Sequence, residues 1–141
     1  TSCIQIVDRL IQGSHKEIKL ELPDVKILQV LHVLHEETIQ EAISLGSSVD
    51  FILLDSGNPK AEVKTLGGTG NIHNWEISAA IVKKAQVPIF LAGGLKKENV
   101  KRAIEAVGSF GLDLCSGVRI DGDLNEAKLA EFITKVKNYS F

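Results

Sequence analysis

The sequence contains no methionine. Thr1 is therefore not an initiating residue, and the chain reads either as processed at its start or as part of something longer. It has only two cysteines, Cys3 and Cys115. Both sit inside apolar runs, which favours buried free thiols in a reducing cytoplasm over a disulfide framework. No apolar run approaches the roughly 20 residues that span a bilayer, and no secretory pattern opens the chain. Charge of neither sign dominates: 16 lysines and arginines face 18 aspartates and glutamates, for a net charge of -2. That balance argues against nucleic acid or an anionic membrane as partner. There is no G-x-G-x-x-G, Walker or G-x-S-x-G pattern. No histidine pair has metal-ligand spacing together with a third ligand, so neither a metal nor a cofactor is expected.

What is present is an ordinary globular composition, 44% hydrophobic and 24% charged, over 141 residues. That length suits one domain with a sizeable core, and no linker or low-complexity segment divides residues 1–141. Five short apolar runs stand out: Cys3 to Val7, Val25 to Val33, Val49 to Asp55, Val87 to Gly93 and Gly111 to Gly117. Several are apolar nearly throughout, as parallel strands covered on both faces are.

The stretches between them have helical period. Glu36 to Leu45 places Ile39, Ala42 and Ile43 on one face, with Gly46 as a stop. Asn74 to Ala85 places Ile77, Ala80 and Ile81 inward, with Asn74 as N-cap. Glu98 to Val107 turns Val100, Ala103, Ile104 and Val107 inward and stops at Gly108. Asn125 to Val136 turns Leu129, Phe132, Ile133 and Val136 inward. Ser14 to Leu22 supplies the helix of the first connection. Five βα units in succession predict an α/β fold with a parallel sheet and right-handed crossovers. Periodicity leaves two forms open, a doubly wound sheet and part of a (β/α)8 TIM barrel.

In both forms, chemistry gathers at the carboxyl ends of the strands. Asp55 ends the third run. A carboxyl group at the mouth of an apolar strand suits a general acid; the alternative is a loop-bracing or helix-capping aspartate. Gly93 and Gly94 after the fourth run, with Ser116 and Gly117 after the fifth, form a candidate phosphate site. Glycines let backbone N–H groups approach an anion, and a helix N-terminus adds its dipole. The alternative is a pair of tight turns. Gly67-Gly68-Thr69-Gly70 lies in the long loop after Asp55, where loops of such length are usually functional or disordered, and a covering lid is one such function. Of the histidines, His32 alone is well placed for a site; His15 reads as part of a solvated helix. The lysines at 96, 97 and 101 read as a solvated face that adds a mild attraction for anions.

Taken together, "DFILLDS…GGTGNIHNW…PIFLAGGLKKENVKRAI…GLDLCSGVR" resembles the phosphoribosylanthranilate isomerase family of tryptophan biosynthesis, in order and in gaps. The resemblance is close over Val49 to Phe132. It implies a partial (β/α)8 barrel, with the five runs as strands four to eight. It also implies an aldose–ketose isomerisation, an intramolecular oxidoreduction. This is the Amadori rearrangement of N-(5-phosphoribosyl)anthranilate to 1-(2-carboxyphenylamino)-1-deoxyribulose 5-phosphate. Asp55 then matches the family's general acid, while Gly93, Gly94, Ser116 and Gly117 match its phosphate loops. Gly68, Thr69 and Gly70 match its substrate-covering loop. The family's general base is a cysteine on the first strand, which this chain does not include; Cys3 lies on the fourth. Val7 stands where the family carries a histidine. Asn71, Asn74, Cys115 and Arg119 are further departures. A catalytically inactive phosphosugar-binding paralogue or fragment is the alternative function. Five strands leave two open edges, so a homo-oligomer or a complementing N-terminal segment is the expected partner, besides a phosphorylated ribose.

Overall fold

A computed structural model of the chain describes residues 1–56 and 74–139. Five strands form one sheet: β1 (Cys3–Ile6), β2 (Lys26–His32), β3 (Phe51–Asp55), β4 (Ile89–Leu91) and β5 (Gly111–Leu112). Helices α1 (His15–Glu21), α2 (Glu37–Leu45), α3 (Trp75–Lys84) and α4 (Val100–Val107) lie in the connections between them. After β5 come a 3-10 turn (Ser116–Val118), a small hairpin of β6 (Arg119–Ile120) and β7 (Asp123–Leu124), and α5 (Glu126–Lys137).

All four pairings in the sheet are parallel, and the strands lie side by side in chain order. A doubly wound sheet reverses its strand order at a switch point. No reversal occurs here, so the arrangement is that of consecutive units of a barrel wall.

Local chemistry explains the helix limits. The Asn74 side chain accepts the Glu76 N–H at 2.9 Å and opens α3 as an N-cap. Asn125 does the same for α5 through the Lys128 N–H at 2.9 Å. Gly108 closes α4 in the left-handed region, at φ 65°. α4 begins at Val100 rather than Glu98, because the preceding residues form a turn with Asn99 and Val100 N–H groups both bonded to the Lys96 carbonyl.

The strands alternate between two faces. One face carries Ile27, Ile52, Leu54, Ile89 and Leu91 into the main core, where they meet Ala42, Ile77, Ile81, Val100, Ala103, Ile104 and Phe132 of the helices. The other face carries a smaller cluster of Val30, Leu53 and Ala92, with Leu28 and Phe90 against it. This is the face that lines the interior of a barrel. At the amino ends of the strands, Asp50 accepts the Ile27 N–H at 2.9 Å and pairs with Lys19 at 3.1 Å and Lys26 at 3.4 Å. Desolvation pulls the Asp50 carboxyl upward, but the Ile27 N–H and the two lysines together outweigh it and hold the pKa below its ordinary value.

Three expectations need correction. Cys3 and Cys115 are free thiols but exposed, not buried. Cys3 lies on the edge strand β1, and Cys115 lies in the turn beyond β5, since the fifth run is strand only over Gly111–Leu112. Ile133 is 41% exposed. It borders an apolar slot with Ile104, Leu112 and Phe132 beside the open β5 edge. His15 is not merely solvated: its Nε2 lies 2.8 Å from the Gln29 Oε1 in a part-buried contact.

Candidate active site

The carboxyl ends of the strands bring the chemistry together. β3 ends on Asp55, which is 7% exposed. Its side chain follows Leu53 by two residues and so lies on the barrel-interior face. The Ser56 N–H donates to Asp55 Oδ1 at 2.7 Å, which fixes the carboxyl group at the strand tip. His32 is the register partner of Asp55 on β2. Its Nε2 lies 3.3 Å from the Val7 carbonyl, while its buried Nδ1 has no hydrogen-bond partner among the described residues.

A second carboxylate belongs to this layer. The Asp113 N–H bonds the Leu91 carbonyl at 2.9 Å, continuing the β4–β5 pairing one residue past the strand. Gly111 pairs with Phe90, so Asp113, two residues on, faces the same interior. Asp113 keeps solvent access. Even so, the surrounding protein desolvates its carboxyl and raises its pKa above the ordinary value, and the charge of Asp55 adds to the rise. By the strand register, Ala92 lies between the two aspartates.

The glycine turns stand beside these carboxylates. Gly93 has φ 81°, and a Cβ there would lie 2.8 Å from Ser56 Oγ and 2.9 Å from the Ser56 nitrogen. Glycine is thus required for the turn after β4 to pack against the residue that fixes Asp55. Gly117 is required for a different reason. A Cβ at that position would lie 1.9 Å from the Leu95 carbonyl oxygen, so the two loops can approach only without one. Between them lies a cleft of about 320 Å³ lined by Gly94, Leu95, Lys96, Lys97, Glu98, Ser116, Gly117 and Lys128. Asn99 holds the first loop: its Nδ2 donates to the Gly94 carbonyl and its Oδ1 accepts the Lys96 N–H, both at 2.9 Å. A glycine-walled cleft with lysines at its rim is suited to an anion of phosphate size.

Among the site residues expected from sequence, Asp55 and Gly93 meet at Ser56, and Gly94, Ser116 and Gly117 line one cleft. Gly68, Thr69 and Gly70 lie outside the described residues. Asp113, Asn99 and Lys128 were not singled out. A period-two reading of "GLDL" would have placed Asp113 on the interior face, and Asn99 stands at the N-cap position before α4. Lys128 is brought to the cleft only by tertiary packing of α5. Among the described residues no three His, Cys, Asp or Glu side chains gather as a metal site, and no helix is long and apolar enough to cross a membrane.

Comparison with known proteins finds relatives in one family. The family model described as N-(5'-phosphoribosyl)anthranilate isomerase matches residues 4–135. A curated N-(5'-phosphoribosyl)anthranilate isomerase of Methanosarcina acetivorans is 38% identical over 134 residues, covering 87% of this chain and 55% of that protein. The solved phosphoribosyl anthranilate isomerase of Thermococcus kodakaraensis superposes with a TM-score of 0.70 at 30% identity, covering 98% of this chain and 64% of the other. A Thermotoga maritima structure, of mutually generated monomers of a dimeric phosphoribosylanthranilate isomerase, gives a TM-score of 0.73 at 20% identity, over 98% of this chain and 61% of that one. The chain spans about half the length of the curated relatives it matches, 55% for each of the first two. The expected partial barrel thus agrees with solved neighbours across nearly the whole chain. By the extent of the family match and by its barrel-wall topology, this chain belongs to the N-(5'-phosphoribosyl)anthranilate isomerase family.

Proposed function

We propose that residues 1–141 are one structural unit, the carboxyl-terminal part of an isomerase that converts N-(5-phosphoribosyl)anthranilate to 1-(2-carboxyphenylamino)-1-deoxyribulose 5-phosphate. The observation that carries this reading is the placement of Asp55 beside the Gly93 turn, which leads directly into the Gly94–Gly117 cleft. The 5-phosphate sits in that cleft against backbone amides and lysines. The furanose ring then extends over the strand ends, and Asp55 gives its proton to the ring oxygen as the C1–O bond opens. Removal of the C2 proton needs a base, and the family resemblance assigns that to a cysteine on the first barrel strand. Catalysis therefore requires the chain together with strands that complete the barrel. These come from a complementing N-terminal segment, or a second copy covers the open edges. The setting in this reading is the cytoplasm, and the reaction as drawn calls on neither metal nor cofactor.

The test is loss of phosphoribosylanthranilate fluorescence with the full-length natural protein. Turnover that collapses in Asp55→Ala supports the reading; no turnover above background, unaffected by that substitution, removes it.

Val7, 43% exposed at the end of β1, favours a second reading. It offers no proton-transfer group where the family resemblance expects a histidine. In that reading the chain is an inactive phosphosugar-binding relative, and calorimetry shows binding of ribose phosphates without turnover.

A further inference from the structure

We propose that Lys128 is a phosphate ligand of the cleft, contributed by α5 from outside the glycine turns. This rests on the reading of the cleft as the phosphate site and adds a side-chain cation to it. Lys128 lines the cleft together with Gly94, Ser116 and Gly117. Its Nζ donates to the Arg119 carbonyl at 3.1 Å, so the ammonium is anchored rather than free to swing. An ammonium group has three hydrogens to donate. One goes to Arg119, which leaves two for an anion in the cleft.

The neighbouring cations are less suited. Lys97 is ion-paired with Glu131 of α5, and Lys96 is exposed at the rim. Glu98 also lines the cleft, and its charge opposes an anion there. A fixed cation from α5 offsets that repulsion. Backbone amides bind phosphate without changing the net charge of a site. An anchored ammonium adds charge, and so favours a phosphate monoester over a neutral sugar of the same shape.

Calorimetric titration of inorganic phosphate into the full-length natural protein tests this, with melting temperature in phosphate-free buffer as the folding control. Lys128→Met and Lys128→Gln each weaken phosphate binding about ten-fold or more, the worth of a charge-assisted hydrogen bond. Lys128→Arg, which keeps the charge, restores most of the affinity, and none of the three shifts the melting temperature. An unchanged dissociation constant in both neutral variants overturns the proposal. So does an equal loss in Lys128→Arg, or a parent protein that binds no phosphate. The titration needs no anthranilate and no general base. Phosphate binding through Lys128 without turnover upholds the ligand and removes the isomerase; an active isomerase indifferent to the neutral variants does the reverse.

Discussion

Asp55, at the end of β3, and Asp113, one residue past β5, lie on the same face of the sheet, separated by the β4 strand and Ala92. Burial raises the Asp113 carboxyl above its ordinary value, and the charge of Asp55 adds to the rise.

If Asp55 is the proton donor, Asp55→Asn keeps the shape of the strand end and removes the transferable proton. In the full-length protein kcat/KM falls by about 10²–10⁴, while KM for the substrate changes little. Steady-state kinetics with a melting curve as control reads this directly. Equal loss through KM alone would assign Asp55 to binding rather than proton transfer.

Asp113 makes a prediction of opposite sign for stability. Its folded-state pKa is raised, so the folded protein holds that proton more tightly than the unfolded chain. Stability therefore falls as pH rises from the unfolded value, about 4, through the folded one. Asp113→Asn removes this loss. The variant is more stable than the parent at pH 7 by about 0.5 kcal/mol, given solvent screening. The difference fades below pH of about 4. Urea unfolding at a series of pH values measures it.

Gly117→Ala places a carbon where the Leu95 carbonyl oxygen stands, at 1.9 Å. Backbone meets backbone there, so no flexible side chain can yield. The loops must separate, at a cost of about 1–3 kcal/mol, and phosphate affinity drops with the cleft. Denaturant midpoint and phosphate titration report the two effects separately.

The same contrasts show how much of the molecule was legible in its residues. The five βα units were, because continuous apolar runs and 3.6-residue periods are local signals. So were the caps at Asn74 and Gly108, which act through their immediate neighbours. The choice between barrel wall and doubly wound sheet could not be made from periodicity, since strand order is a property of the whole sheet; the family resemblance made it. Asp55 and the four glycine-turn residues could be read from their place after strands. Asp113 was hidden inside a run taken as strand to Gly117, although the extended pairing stops soon after Leu112. Lys128 was hidden because its charge reads as helix surface until α5 is packed. The exposed thiols were misjudged for one reason: an apolar run predicts a strand, but not whether that strand is covered.

Asp50 stabilises the opposite end of the sheet. Its folded pKa is lowered, so its contribution is present above the unfolded value and is lost as pH falls through the folded one. Asp50→Ala unpairs Lys19 and Lys26 and leaves the Ile27 N–H without its acceptor. It costs about 1–2 kcal/mol at pH 7. The cost shrinks in acid, and unfolding at pH 7 and pH 3 shows whether it does.

The most direct test is a crystal structure of the full-length natural protein with a reduced, non-reacting analogue of the deoxyribulose 5-phosphate product. The account predicts the phosphorus in the cleft between Gly94 and Gly117, and the sugar oxygen released from the ring within hydrogen-bond reach of Asp55. A phosphate bound elsewhere, or a sugar chain running away from that carboxyl group, contradicts it.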